Sequence, residues 1–184
     1  MFTEKPYRNL IMALVVCLFP MVFVSCISGN VKSAPNTTTT IILIRHAEKT
    51  GKGLVKGSYL TPEGRDRAQA LVSVAKDMGI TAIYSPNFGR NIETVTALSE
   101  EIGVPVTVSK DSIATFAVDD IADEILTKHA GGVVLYVGNV SGNLMAMHNY
   151  LGGSGLGPTE YGEMVKFNIS DQGTISVTES HFGK

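Results

Sequence analysis

Four consecutive apolar residues, Ile41–Ile44, run directly into Arg45, His46 and Glu48. A short run rich in β-branched residues is typical of a strand buried on both faces. In α/β proteins, ligands bind at the carboxyl ends of such strands. The pattern therefore predicts a sheet whose edge carries an imidazole beside a guanidinium. That pair suits a phosphate-like anion, because a guanidinium binds oxygens in pairs and a neutral imidazole nitrogen can attack phosphorus.

The first 25 residues have a composition of their own. Lys5 and Arg8 precede an apolar run over 10–24, which is the order found in a secretory signal. Its fifteen residues are fewer than the roughly 20 that cross a bilayer. The run Phe23-Val-Ser-Cys26 resembles a bacterial lipobox, which implies that Cys26 becomes the lipidated first residue of the mature protein. An uncleaved anchor is the alternative, and both predict an extracytoplasmic domain held at the membrane of the cell envelope.

Three segments follow from this reading. Residues 1–25 are the predicted lipoprotein signal peptide, 26–38 the lipidated cysteine with a polar tether, and 39–184 one folded domain. The folded domain contains no cysteine, so disulfides and thiolate metal sites are excluded and no metal or cofactor is expected. Without Lys5, Arg8 and Glu4, the 15 basic and 17 acidic residues of the chain leave a net charge of −3. That balance argues against a nucleic-acid partner.

Strand and helix patterns alternate from Thr39 onward. Helix-forming spacing begins after Thr61, a suitable N-cap followed by proline, and ends at Gly79. The alternation predicts a three-layer α/β/α sandwich with a mainly parallel sheet, and the last two strands add antiparallel edge strands. The predicted strands are 39–44, 81–84, 105–108, 132–137, 163–169 and 174–179, and the further helices are 88–102, 119–129 and 141–150.

Three strand ends face one crevice in this architecture. They are Arg45-His46, the segment Tyr84–Arg90 and the segment Val137–Gly142. Two arginines and a helix N-terminus that meet at one point would form a site for an anion.

These segments, in this order, resemble the histidine phosphatase (phosphoglycerate mutase-like) superfamily. The resemblance rests on strand-Arg-His-Ala-Glu-Lys, then Leu60-Thr-Pro-Glu-Gly, then Tyr84-Ser-Pro-Asn-Phe-Gly-Arg90, and extends from Thr39 to the end of the chain. The compact length is similar to the small branch that includes phosphohistidine phosphatases. The resemblance implies that His46 accepts the phosphoryl group while Arg45 and Arg90 bind its oxygens. Ser85 is a further candidate phosphate contact, although serine before proline is also a turn former.

The chain departs from that family at Asn139. The apolar strand 133–137 and Gly138 resemble the family's strand before Gly-His, but asparagine stands in place of the second catalytic histidine. Asn139 can donate a neutral hydrogen bond but cannot carry positive charge or exchange a proton. Loss of one placed donor costs about 10²- to 10³-fold in rate, and loss of proton transfer about 10²- to 10⁴-fold. We therefore expect reduced activity.

The proton donor for the leaving group is open. Glu48 is the candidate closest to His46, and Asp111, Asp119 and Asp120 lie before or within the third helix. No other histidine is a clear substitute at position 139. His148 lies roughly 13 Å further along a helix, and His129 and His181 are predicted to be solvated.

Rival motifs fail on their own requirements. His46-x-Glu48 lacks the cysteine pair of zinc deaminases, and Ser141 is one place beyond the G-x-S-x-G position of a hydrolase elbow. The glycine-rich segment 152–157 follows a helix, which excludes a dinucleotide fingerprint.

Two hypotheses remain. The first is a phosphohydrolase of reduced activity that acts on a phosphomonoester or on phosphohistidine, in a small substrate or a phosphoprotein, through a phosphohistidine intermediate at His46. The second is a catalytically degenerate domain that binds phosphorylated ligands or proteins.

Overall fold

The structure is a computed structural model, and it describes residues 27–28, 31–51, 57–109 and 117–184. The predicted signal peptide, Cys26 and Asp111 lie outside these residues. The strands are β1 (Ile27–Ser28), β2 (Thr38–Arg45), β3 (Ile80–Pro86), β4 (Val106–Ser109), β5 (Val133–Gly138), β6 (Glu163–Ser170) and β7 (Thr174–His181). The helices are α1 (Pro62–Ala75), α2 (Gly89–Ile102), α3 (Ala117–Lys128) and α4 (Asn143–Tyr150).

One seven-stranded sheet runs in the order β1-β7-β6-β2-β5-β3-β4. Strands β2, β5, β3 and β4 are mutually parallel, whereas β6 runs antiparallel to both β2 and β7. The predicted mainly parallel α/β fold is therefore confirmed, with the β6–β7 hairpin on one side of the sheet. Parallel pairing brings the carboxyl ends of β2, β5 and β3 to one edge, as the sequence pattern requires.

Alternate side chains of the central strand enter two separate cores. Ile41 and Leu43 pack with residues of α3 and α4, while Ile42 and Ile44 pack with residues of α1 and α2. Because both faces of β2 are covered, an uninterrupted apolar run is the sequence that such a strand needs. This arrangement gives the predicted three layers.

The first helix begins where its capping residues predict. The Thr61 hydroxyl accepts a hydrogen bond from the Gly64 amide, and Pro62 occupies the first turn. The helix ends at Ala75, short of Gly79, because the next residues form a turn in which Met78 donates to the Ala75 carbonyl. Gly79 follows with φ of +71°, a conformation that favours glycine.

The described part of the predicted polar tether lies against the folded domain. Strand β1 pairs with the start of β7, and the Ser33 amide donates to the Ser170 carbonyl at 3.1 Å. The Ser33 hydroxyl is buried and lies 2.5 Å from the Thr39 hydroxyl. These hydrogen bonds hold the segment on the sheet, where a linker of the same composition without them would extend into solvent. No helix in the described ranges is long and apolar enough to span a bilayer.

Candidate active site

The parallel strands bring the predicted residues to one edge of the sheet. Arg45 ends β2 opposite Gly138 of β5, and the His46 amide donates to the Gly138 carbonyl at 3.2 Å. Asn139 follows β5, and Arg90 lies in the first turn of α2. Together they border a cavity of about 270 Å³ that is lined by Arg45, His46, Lys49, Arg90, Asn139, Val140 and Ser141.

His46 is held in one tautomer. Its ring is 4% exposed, and Nδ1 lies 2.7 Å from the Ala47 carbonyl. A carbonyl oxygen only accepts, so this bond requires a proton on Nδ1 and leaves the lone pair on Nε2. Burial lowers the pKa of His46 to about 4, the Ala47 bond acts in the opposite direction, and the charges of Arg90, Arg45 and Lys49 lower it further. The ring is therefore neutral and nucleophilic at pH 7.

Arg90 and Asn139 form one buried unit. The Arg90 side chain is fully buried, and its Nε and Nη2 donate to Asn139 Oδ1 at 3.1 and 2.6 Å. Its guanidinium lies 4.4 Å from the centroid of the Phe88 ring. Asn139 Nδ2 is buried and has no hydrogen-bond partner among the described residues. The asparagine thus fixes Arg90 through its oxygen and retains a donor for a ligand in the cavity.

The Arg45 side chain is positioned by two residues that are more than 100 positions away in the sequence. Its Nη1 donates to the Thr159 carbonyl at 2.6 Å, and its guanidinium stacks 3.8 Å from the centroid of the Tyr161 ring. The same ring lies 5.9 Å from the centroid of His46. The Nε of Arg45 is buried without a partner in the described part of the chain. Thr159 and Tyr161 orient the arginine, and no sequence pattern indicated a role for either residue.

Glu48 is engaged elsewhere, which argues against its predicted role as proton donor. Arg67 of α1 donates from Nε to both carboxylate oxygens at 2.9 Å and from Nη2 to one of them at 2.6 Å. Burial acts to raise the pKa of Glu48, but these bonds outweigh it and the net shift is downward. Gly64 lets the start of α1 pack against the Glu48 backbone, because a Cβ there would lie 2.2 Å from the Glu48 carbonyl oxygen. Glu48 is therefore an ionised structural partner and a poor acid.

Other predicted candidates lie apart from the cavity. The Ser85 hydroxyl is buried, donates to the Pro86 carbonyl at 2.9 Å and is not among the described residues that line the cavity. Asp119 and Asp120 are exposed in the first turn of α3. The three other histidines also line none of this cavity: His148 packs on Phe167, His129 lies 3.0 Å from the Tyr84 hydroxyl, and His181 lies 3.0 Å from the Tyr161 carbonyl.

Lys49, Val140 and Ser141 also line the cavity; no role was predicted for Lys49, whereas Val140 and Ser141 lie in the segment Val137–Gly142 that was predicted to face it. Lys49 is the residue after Glu48 and could have been noticed as a third cation close to His46. A larger cavity of about 550 Å³ has Thr159, Glu163 and Glu179 among its lining residues. Two carboxylates repel phosphate, so the smaller cationic cavity is the candidate active site.

Comparisons with known proteins give a family match for part of the chain and relatives of the fold. The family model described as histidine phosphatase superfamily (branch 1) matches residues 41–112, which include the second half of β2 with Arg45, and also His46 and Arg90. The resemblance seen in the sequence is therefore confirmed over this stretch. No curated protein matches the chain at the level of sequence.

Several solved structures share the fold. The protein histidine phosphatase SixA, complexed with tungstate, is 12% identical with a TM-score of 0.65, over 77% of this chain and 96% of that one. A mycobacterial glucosyl-3-phosphoglycerate phosphatase is 14% identical with a TM-score of 0.60, over 78% and 98%. Phosphoserine phosphatase from Entamoeba histolytica, with 3-phosphoglyceric acid, is 16% identical with a TM-score of 0.62, over 79% and 98%.

Proposed function

We propose that this chain, which carries the histidine phosphatase fold, hydrolyses phosphohistidine or an activated phosphomonoester through a phosphohistidine intermediate at His46. The family match and the phosphatase neighbours support phosphohydrolase activity. The observation that carries the proposal is His46 itself: a buried, neutral imidazole whose Nδ1 is fixed by a carbonyl and which lines a cavity with three cations.

The chemistry requires two displacements. In the first, His46 Nε2 forms a bond to phosphorus while the bond from phosphorus to the leaving group breaks. In the second, water attacks phosphorus, the P–Nε2 bond breaks, and inorganic phosphate leaves with the proton of water passing to solvent. Arg45 and Arg90 stabilise the charge on the transferring group in both steps, because guanidinium groups bind phosphate oxygens in pairs.

The lining of the cavity favours substrates with good leaving groups. No carboxylate is among its described lining residues, and Glu48 is bound to Arg67. An alkoxide needs a proton as it leaves, whereas imidazole already protonated at its other nitrogen, or a phenolate, departs with less assistance. This preference supports phosphohistidine and aryl phosphates over alkyl phosphates.

We expect slow turnover that is measurable with activated substrates. The full chain in detergent should hydrolyse a phosphohistidine peptide and p-nitrophenyl phosphate at least about tenfold faster than glycerol phosphate, because no carboxylate is among the described residues that line the cavity. Asn139→His, which adds a titratable donor, should raise kcat about tenfold or more. Phosphate release and acid-labile labelling of the protein measure both. Absence of turnover in the parent, with phosphate still raising its Tm, would instead support the degenerate phosphate-binding domain.

The predicted membrane anchor is a separate part of the proposal. Cys26 is joined directly to Ile27, the first residue of β1, and β1 pairs with β7. A lipidated Cys26 would thus hold the domain at the envelope membrane with little linker between them. A clickable palmitate analogue should label the parent in growing bacterial cells, and Cys26→Ser should remove the label. Labelling that persists in Cys26→Ser would contradict anchoring at this residue.

A further inference from the structure

Lys49 is placed at the cavity by its backbone. It forms an isolated antiparallel bridge with Leu60, whose amide donates to a carboxylate oxygen of Glu93 at 2.7 Å. The side chain is half-buried and lines the cavity, and its ammonium donates to the Gly51 carbonyl at 2.9 Å. That bond is exposed to solvent. An exposed bond to a neutral carbonyl is readily exchanged for a stronger bond to an anion.

The charges around the cavity are unbalanced without a ligand. Among the described residues that line it, Arg45, Lys49 and Arg90 are cationic, and the other polar side chains, those of His46, Asn139 and Ser141, are neutral at pH 7. The pKa of Lys49 is lowered by burial and then by the charges of Arg90 and Arg45, so the three cations lie close enough to repel one another. A dianionic phosphoryl group would relieve this repulsion.

We infer that Lys49 is a third anion-binding residue of the site: its ammonium exchanges the Gly51 carbonyl for a phosphate oxygen when the anion enters. This role supplies the positive charge that neutral Asn139 does not provide at the cavity. The inference rests on the proposed function for its substrate, but anion binding by Lys49 can be measured without turnover. Lysine acts here as a mobile point charge, whereas Arg45 and Arg90 are fixed by Thr159 and Asn139.

The test compares Lys49→Met, which keeps the length and removes the charge, with Lys49→Arg, which keeps the charge. Lys76→Met is the matched control, since Lys76 is exposed at the end of α1 toward the opposite edge of the sheet. Calorimetry with inorganic phosphate and with vanadate should show about tenfold weaker binding for Lys49→Met. Lys49→Arg should bind within about threefold of the parent, and Lys76→Met should equal it. The Tm without anion should not fall in any of the three, and Lys49→Met should raise it because the repulsion from Arg45 and Arg90 is removed.

A second experiment tests whether Lys49 supplies the positive charge that neutral Asn139 does not provide. In Asn139→His at pH 6, where bound phosphate favours the charged form of the added imidazole, Lys49→Met should weaken phosphate binding by less than about threefold. Parent-like phosphate binding by Lys49→Met, or an equal loss in Lys76→Met, would overturn the inference. If turnover is present but Lys49→Met binds phosphate normally, the inference fails while the proposed function survives. If turnover is absent but phosphate binding depends on Lys49, the function fails and the inference survives.

Discussion

His46→Ala should reduce turnover of a phosphohistidine peptide by on the order of 10⁴-fold or more, since removing a covalent nucleophile leaves only the binding contribution of the site. The acid-labile phosphoenzyme should disappear with it. Phosphate should still bind, because Arg45, Lys49 and Arg90 remain around the cavity. Phosphate release, labelling and calorimetry measure the three quantities. His129→Gln is the matched control, as His129 lies at the end of α3 and bonds to the Tyr84 hydroxyl.

The same residue predicts how activity depends on pH. Burial, followed by the nearby cations, lowers the pKa of His46 from 6.5 to about 4, so kcat/KM should persist to about pH 5 and fall near pH 4. Turnover that survives in His46→Ala, or an acid limb at pH 6.5, would show that His46 is not the nucleophile in the environment described here.

The free energy of unfolding should also fall at acid pH. The lowered pKa means that the unfolded chain binds the proton between pH 6.5 and 4 while the folded protein does not. The contribution of His46 is therefore fully present above pH 6.5 and is lost as the pH falls toward 4, by roughly 3 kcal/mol. Urea unfolding at pH 7 and pH 4 should show this loss in the parent in excess of any loss in His46→Ala.

The sequence was sufficient for the fold because local and tertiary preferences agree. The apolar run Ile41–Ile44 forms a strand covered on both faces, and Thr61 and Pro62 begin a helix as their types predict. The position of Arg45 and His46 then follows from the rule that parallel strands present their carboxyl ends at one edge. The position of Arg90 follows from the same rule applied to β3, which is parallel to β2 and separated from it by β5.

Side-chain partners were harder to predict, because they depend on packing between distant segments. The sequence made Glu48 a candidate proton donor beside His46. In the structure, Arg67 on the buried face of α1 donates hydrogen bonds to its carboxylate. The helical spacing of Arg67 with Ala68 and Leu71 was a usable signal for this contact. Tyr161 follows a glycine-rich segment without periodicity, so no sequence pattern placed its ring on the Arg45 guanidinium.

Asn139→Asp should be nearly as damaging as loss of the nucleophile, although the side chains have the same shape. Aspartate keeps the oxygen that accepts from Arg90 Nε and Nη2. It replaces the buried Nδ2 donor, which has no partner among the described residues, with a second anionic oxygen. The cavity then loses a donor and gains a negative charge that repels phosphate. We expect phosphate binding to weaken about 100-fold and kcat/KM to fall about 10³-fold.

The stability of Asn139→Asp separates this effect from misfolding. A carboxylate at this position faces the buried Arg90 guanidinium and lies in a cavity that also contains Arg45 and Lys49, so the Tm should equal or exceed that of the parent. Asn168→Asp makes the same charge change near the opposite edge of the sheet, where Asn168 accepts from Thr40, and should leave phosphate binding intact. Parent-like phosphate binding by Asn139→Asp would mean that the asparagine only holds Arg90, and that the anion is bound by the cations alone.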